Sequence, residues 1–130
     1  MHAWLYVGVG GFLGANARYI LATQLSTRFV AWTGLPIPVG TLFVNVVGSF
    51  LLAVASVWFA RQVVATPEVR LLVGTGFFGA FTTFSTFANE TINLASKEGV
   101  ALAVLYWVLT NALCLMGVLL GLYIAQHWAS

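Results

Sequence analysis

Hydrophobic positions in this chain do not alternate with polar ones; they run in four long blocks, at about residues 3–25, 39–60, 69–95 and 100–126. Each block reaches the roughly 20 residues an α-helix needs to cross a bilayer core. The gaps carry the punctuation. Ser26–Pro38 holds the breakers Gly34, Pro36 and Pro38, Arg61–Glu68 holds Pro67, and Ser96-Lys97-Glu98-Gly99 is a short turn. The pattern predicts an all-α integral membrane protein, a single transmembrane domain over residues 1–130 with four spans and no room for a soluble domain.

Composition agrees with lipid as the main solvent. Hydrophobic residues make up 61% of the chain and charged ones 6%, where a soluble domain carries about 25%. The charges are Arg18, Arg28, Arg61, Arg70, Lys97, Glu68, Glu90 and Glu98, too few to build a water-facing surface. The net charge of +2 is far short of a nucleic-acid footprint. Met1–Leu5 has no basic residue and the apolar character persists to Trp128, so the first segment is expected to stay rather than be removed as a signal peptide. The single cysteine, Cys114, lies deep in the last block and reads as a small buried hydrophobe. Charge bias normally sets orientation, but here Arg61 and Arg70 on one side face Arg28, Lys97 and the nearby Arg18 on the other. A chain so balanced can insert both ways up, and two opposed copies can pair. An antiparallel, dual-topology homodimer in the cell (inner or plasma) membrane is the expectation, also because four short helices enclose little volume for a hydrated path.

Polar groups at membrane depth are expensive and therefore informative. Thr41, Asn45, Ser49 and Ser56 recur at about helical spacing in the second block, Thr82, Thr86, Asn89 and Asn93 in the third, and Tyr106, Thr110 and Cys114 in the fourth. These stripes offer neutral donors. Each residue alone could equally be interhelical glue, while three stripes together suit a lined pathway. Gly10 and Gly14 form a GxxxG pair, which predicts close helix packing. In the third block, glycines and adjacent threonines weaken the helix at mid-span. A simple kink is one outcome; unwound backbone whose carbonyls hold a hard cation such as sodium is the other. Gly74-Thr75-Gly76-Phe77-Phe78-Gly79 matches GxGxxG literally, but its flanks are membrane spans rather than a strand and a helix of a soluble unit, so the match is accidental. Asn89-Glu90-Thr91 fits a glycosylation triplet that lies out of reach within the span.

The run Gly74-Thr75-Gly76-Phe77-Phe78-Gly79-Ala80-Phe81-Thr82-Thr83-Phe84-Ser85-Thr86-Phe87, closed by Glu90, strongly resembles the Fluc family of fluoride channels, the CrcB-like proteins. Gly11–Tyr19 and Gly40–Asn45 support the likeness, which covers essentially the full length. Ala80 stands where the family commonly has a second glycine. The resemblance implies an antiparallel homodimer with two pores and a structural sodium ion held at the dimer centre by backbone carbonyls of a broken third helix. Those carbonyls would belong to Gly79 and Thr82 of each chain. The pore would be lined by Phe84, Phe87, Asn45, Tyr106 and Thr110, with Thr41, Thr83, Ser85, Thr86, Glu90 and Arg18 as further candidates, the role of Arg18 being left open. Passive export of fluoride and protection against its toxicity are the implied function.

The chemistry is coherent with that implication. Fluoride is small, strongly hydrated and a strong hydrogen-bond acceptor, so a pore must replace its water with donors such as Asn45, Tyr106 and Thr110. An aromatic ring is positive at its edge, which lets Phe84 and Phe87 meet an anion without a fixed charge. Weak sites let the ion leave. A proton-coupled exporter of the small multidrug-resistance kind would need an ionisable carboxylate in the membrane, for which only Glu90 stands near. A non-transporting assembly subunit is the other alternative. No nucleophile–base pair or paired carboxylates point to an enzyme.

Overall fold

The computed structural model describes residues 2–61 and 66–128, and every regular element among them is helical. The order is α1 (Ala3–Thr33), α2 (Val39–Ala60), α3 (Pro67–Val69), a π-helical stretch (Arg70–Phe78), α4 (Gly79–Phe81), α5 (Phe84–Lys97) and α6 (Val100–Trp128). Three rods are long and apolar enough to cross a membrane: Val39–Ala60, Pro67–Lys97 and Val100–Trp128. The second of these comprises α3 through α5. With 31 residues α1 is also long, but Asn16, Arg18, Gln24 and Arg28 dilute its apolar character. The chain is thus all-helical and built for a membrane, with three rods of clear spanning quality.

The first helix overruns its expected end at residue 25 and continues to Thr33. Bilayer thickness limits the apolar block, not the helix, and nothing in Ser26–Val30 forbids helical backbone. What stops it is Gly34, at φ 72° in the left-handed region, with its N–H donating to the Val30 carbonyl. That is the glycine C-cap. Pro36 and Pro38 then prevent resumption before α2. The expected loop Arg61–Glu68 lies partly outside the described residues; past it, Thr66 caps α3 by accepting from Val69 N–H at 3.4 Å.

Two pairings organise the molecule: α2 lies along α6, and α1 lies along the π-helical stretch. The second is a backbone-to-backbone contact. A Cβ at Gly10 would collide with the Leu72 carbonyl and one at Gly14 with the Phe77 carbonyl, while Gly76 faces Val7 and Gly10 from the other side. The GxxxG expectation therefore holds, and its partner is the wider π turn of the third rod. The buried apolar cluster is small, made of Phe87, Leu94, Ala103 and Tyr106 with Ile37, Leu42, Ala95 and Leu102 packed around it. Large apolar side chains such as Phe12, Trp32 and Leu115 face outward, as lipid permits and water would not.

Candidate functional site: an interrupted helix between cavities

The third rod breaks at Thr82 and Thr83, both extended, with φ, ψ of −84°, 153° and −150°, 117°. The sequence left open whether this segment kinks or unwinds. It unwinds, and its backbone groups can be followed one by one. Asn45, on α2, clasps Thr83 from both sides: its Nδ2 donates to the Thr83 carbonyl at 3.0 Å and its Oδ1 accepts from the Thr83 N–H at 2.8 Å. The side-chain amide thereby takes the place of a neighbouring strand. Arg18 Nε, on α1, donates to the Ala80 carbonyl at 3.0 Å, setting a cation on the C-terminal end of α4, where the peptide dipoles favour it. The Thr83 hydroxyl accepts from Thr86 N–H at 3.3 Å and so caps α5.

These substitutions free two particular carbonyls. In an unbroken helix Gly79 O would accept from Thr83 N–H, and Thr82 O from Thr86 N–H. Both donors are diverted to side chains, to Asn45 Oδ1 and to Thr83 Oγ1. Gly79 is exposed, and a Cβ built on it meets nothing within 4 Å. Main-chain oxygens on an open face suit a hard cation such as sodium. The residues fit that ion.

Cavities flank the break. The first, of about 210 Å³, is lined by Asn45, Ser49, Thr82, Thr83, Phe84, Phe87, Thr110, Asn111 and Cys114. The second, of about 310 Å³, lies on the α1 side among Arg18, Tyr19, Thr23, Ser26, Thr41, Thr83, Thr86 and Glu90. A third, of about 190 Å³, adjoins Glu90, Asn93, Lys97 and Glu98 at the far end of α5. Thr83 is common to the first and second, Glu90 to the second and third. The cavities follow α5 along its length, about 21 Å at 1.5 Å per residue for its 14 residues.

The expected site residues fall into distinct places. Asn45, Thr82, Phe84, Phe87 and Thr110 share the first cavity, Arg18, Thr41, Thr86 and Glu90 share the second, and Thr83 belongs to both. Phe84 and Phe87 have ring centroids 5.8 Å apart, yet Phe84 is 75% exposed and Phe87 3%. Tyr106 is buried and lines none of these cavities; it stacks at a tilt on Phe87 and donates its hydroxyl to Glu90 Oε2 at 2.9 Å. Glu90 Oε1 accepts from Thr41 Oγ1 at 2.8 Å, so one carboxylate ties α2 and α6 to α5. Ser85 is exposed at the start of α5, 3.5 Å from the Thr83 hydroxyl.

One sequence stripe does not survive. Thr82 and Thr86 stand on opposite sides of the interruption, which resets the helical phase, and Asn89 points outward. The inward set on α5 is Thr86, Phe87 and Glu90 instead. Sequence reasoning gave Asn111 no site role and placed Ser49 and Cys114 only in the polar stripes of their helices; all three line the first cavity. Nor did it find the Arg18–Ala80 contact, which spans 62 positions and has no local signal.

Residues 5–122 match the family model described as CrcB-like protein, Camphor Resistance (CrcB). The chain is 40% identical over 127 residues to the fluoride-specific ion channel FluC of Sorangium cellulosum, covering 98% of this chain and 97% of that one. It is 40% identical to the protein of the same name from Magnetococcus marinus, with coverage of 95% and 96%. Against fluoride-specific ion channel FluC 1 of Geobacillus kaustophilus the identity is 44% over 113 residues, 85% of this chain and 86% of that one.

Proposed function

From the premise that the chain belongs to the CrcB-like family, we propose that it is a fluoride-specific ion channel of the cell membrane that lets the anion leave passively. The carrying observation is the string of cavities along α5: the first is walled by neutral hydroxyls, amides and two phenylalanine rings, the second adds Arg18 and Glu90, and Thr83 is common to both. A small anion moving there would exchange water for hydroxyl and amide donors. Thr110 and the remaining Nδ2 hydrogen of Asn45 offer such donors in the first cavity, and Thr86 offers one in the next, where the Thr41 hydroxyl is already given to Glu90. The positive ring edges of Phe84 and Phe87 stabilise negative charge without trapping it. Arg18 adds one fixed positive charge beside the second cavity.

We further infer that two copies pair in opposite orientations, giving two pores. Phe84 supports this reading: a residue that lines a cavity yet is 75% exposed in one chain has its natural cover in a second copy. Gly79 supports it too, since nothing inside the chain requires a glycine there. The carbonyls of Gly79 and Thr82 would hold a structural sodium ion between the copies. Such an ion supplies fixed charge and a cross-link, and Arg18 and Asn45 hold the backbone that presents the carbonyls.

The test is fluoride efflux from liposomes reconstituted with the purified protein, with chloride as the control anion. Fast efflux of fluoride alone is expected; absence of flux, or equal flux of chloride, overturns the assignment. Efflux that proceeds only with an opposed proton gradient would identify an exporter instead.

A further inference from the structure

Resting on the channel reading, we propose that the cavity beside the break carries a modifiable thiol in its wall, and that one adduct on Cys114 closes the path to anions. The motifs that define the site do not include this residue. Two independent observations bring the sulfur and the path together.

The first is the cavity itself. Its lining joins Phe84, Phe87 and Thr110 to Ser49, Asn111 and Cys114, and the half-buried Cys114 is in no disulfide. The second is Thr110. It is 3% exposed, and its buried Oγ1 makes no hydrogen bond of good geometry among the described residues, apart from a looser contact with the Tyr106 hydroxyl, whose own proton goes to Glu90. A hydroxyl so placed is costly unless a polar guest meets it, and the cavity is where a guest can stand. Thr110 and Cys114 lie four positions apart on α6, hence on one face and about one turn, some 6 Å, from each other. A group attached to the sulfur therefore occupies the space in which a guest of Thr110 would move.

The covalent step is thiol exchange with an alkanethiosulfonate. The Cys114 thiol loses its proton to the buffer, and the thiolate attacks the sulfenyl sulfur of the reagent. A new S–S bond forms while the S–SO2 bond breaks, and the electron pair leaves with methanesulfinate. The reagent is itself the oxidant. With 2-sulfonatoethyl methanethiosulfonate the product carries a permanent negative charge. In a cavity of about 210 Å³ that adduct both fills space and repels an incoming anion.

The experiment treats the folded, detergent-solubilised protein with excess reagent at about pH 8.5, since only the thiolate attacks. Intact mass counts adducts, and the labelled protein is then reconstituted for fluoride efflux. One adduct per chain is expected to slow efflux at least roughly tenfold by occlusion and charge repulsion, and dithiothreitol to restore the untreated rate. Cys114→Ser carried through the same treatment should keep its own untreated rate. Complete labelling with undiminished efflux would overturn the proposal, and so would a thiol that labels only after denaturation. A separate failure is visible in the same assay: untreated protein that passes no fluoride sinks the channel reading, whatever happens at Cys114.

Discussion

Asn45 is the residue on which the break most directly depends, and its engagement changes what it can be asked to do. Its amide oxygen and one amide hydrogen are already committed to Thr83, so its first duty is to hold backbone, and any donation to an anion uses the hydrogen left over. Aspartate would keep the acceptor but set a second oxygen against the Thr83 carbonyl. Asn45→Asp is expected to cost about 1–3 kcal/mol, the range for leaving a buried polar group unpaired, read as a lower unfolding temperature in detergent. Fluoride efflux should fall with it. The two phenylalanines separate differently. Phe84→Ile exchanges a ring that lines the first cavity for an aliphatic side chain that still fills the position, so efflux should drop while the protein still folds and pairs. Phe87→Ala empties a buried position and should cost about 3–5 kcal/mol as well as flux. Undiminished efflux in Phe84→Ile would remove that ring from the path.

At the scale of elements, the glycines of α1 give the sharpest contrast. Gly14→Ala drives a Cβ into the Phe77 carbonyl, whereas Gly8→Ala meets nothing within 4 Å. The first should separate α1 from the third rod and lower the yield of folded protein. The second should leave it unchanged or stabilise it by about 0.5–1 kcal/mol, the helix preference for alanine. Thermal unfolding of the two variants side by side checks the pair. The elements also show what the sequence could and could not convey. The apolar blocks marked α2, α6 and the third rod because lipid-facing helices write themselves as uninterrupted hydrophobicity. The weak point in the third rod was visible as glycines and threonines. The form of the break was not, because it depends on Asn45 and Arg18 arriving from α2 and α1. The first apolar block ends near residue 25 while α1 runs on to Thr33, because helix length and membrane thickness are set by different physics, and Gly34 obeys the former. Of the site, the Thr-Phe motif was legible and the Glu90 bridge to Thr41 and Tyr106 was not, since the three residues belong to three helices.

For the whole molecule the balance of charge decides orientation. At one end Arg61 Nη2 donates to the Gln126 carbonyl at 3.3 Å and Arg70 Nη2 to the Phe59 carbonyl at 2.5 Å. Both guanidinium groups thus sit on helix C-termini, where dipoles favour them. Arg28 and Lys97 lie near the C-terminal ends of α1 and α5. With neither face dominant, a C-terminal tag on the protein in cells should be reached from both sides of the membrane; labelling on one side only would rule out the opposed pairing. Prolonged removal of sodium should slow fluoride efflux from liposomes, with recovery when sodium but not potassium returns. The interruption has one more effect on the assembled chain. An unbroken helix transmits any twist along its length, at about 100° per residue of slippage. Two extended residues transmit none. Thr82 and Thr83 therefore decouple the two phases: the half-rod gripped by α1 and the half-rod seated against α2 and α6 need not share one azimuth, and the Asn45 clasp fixes the offset between them.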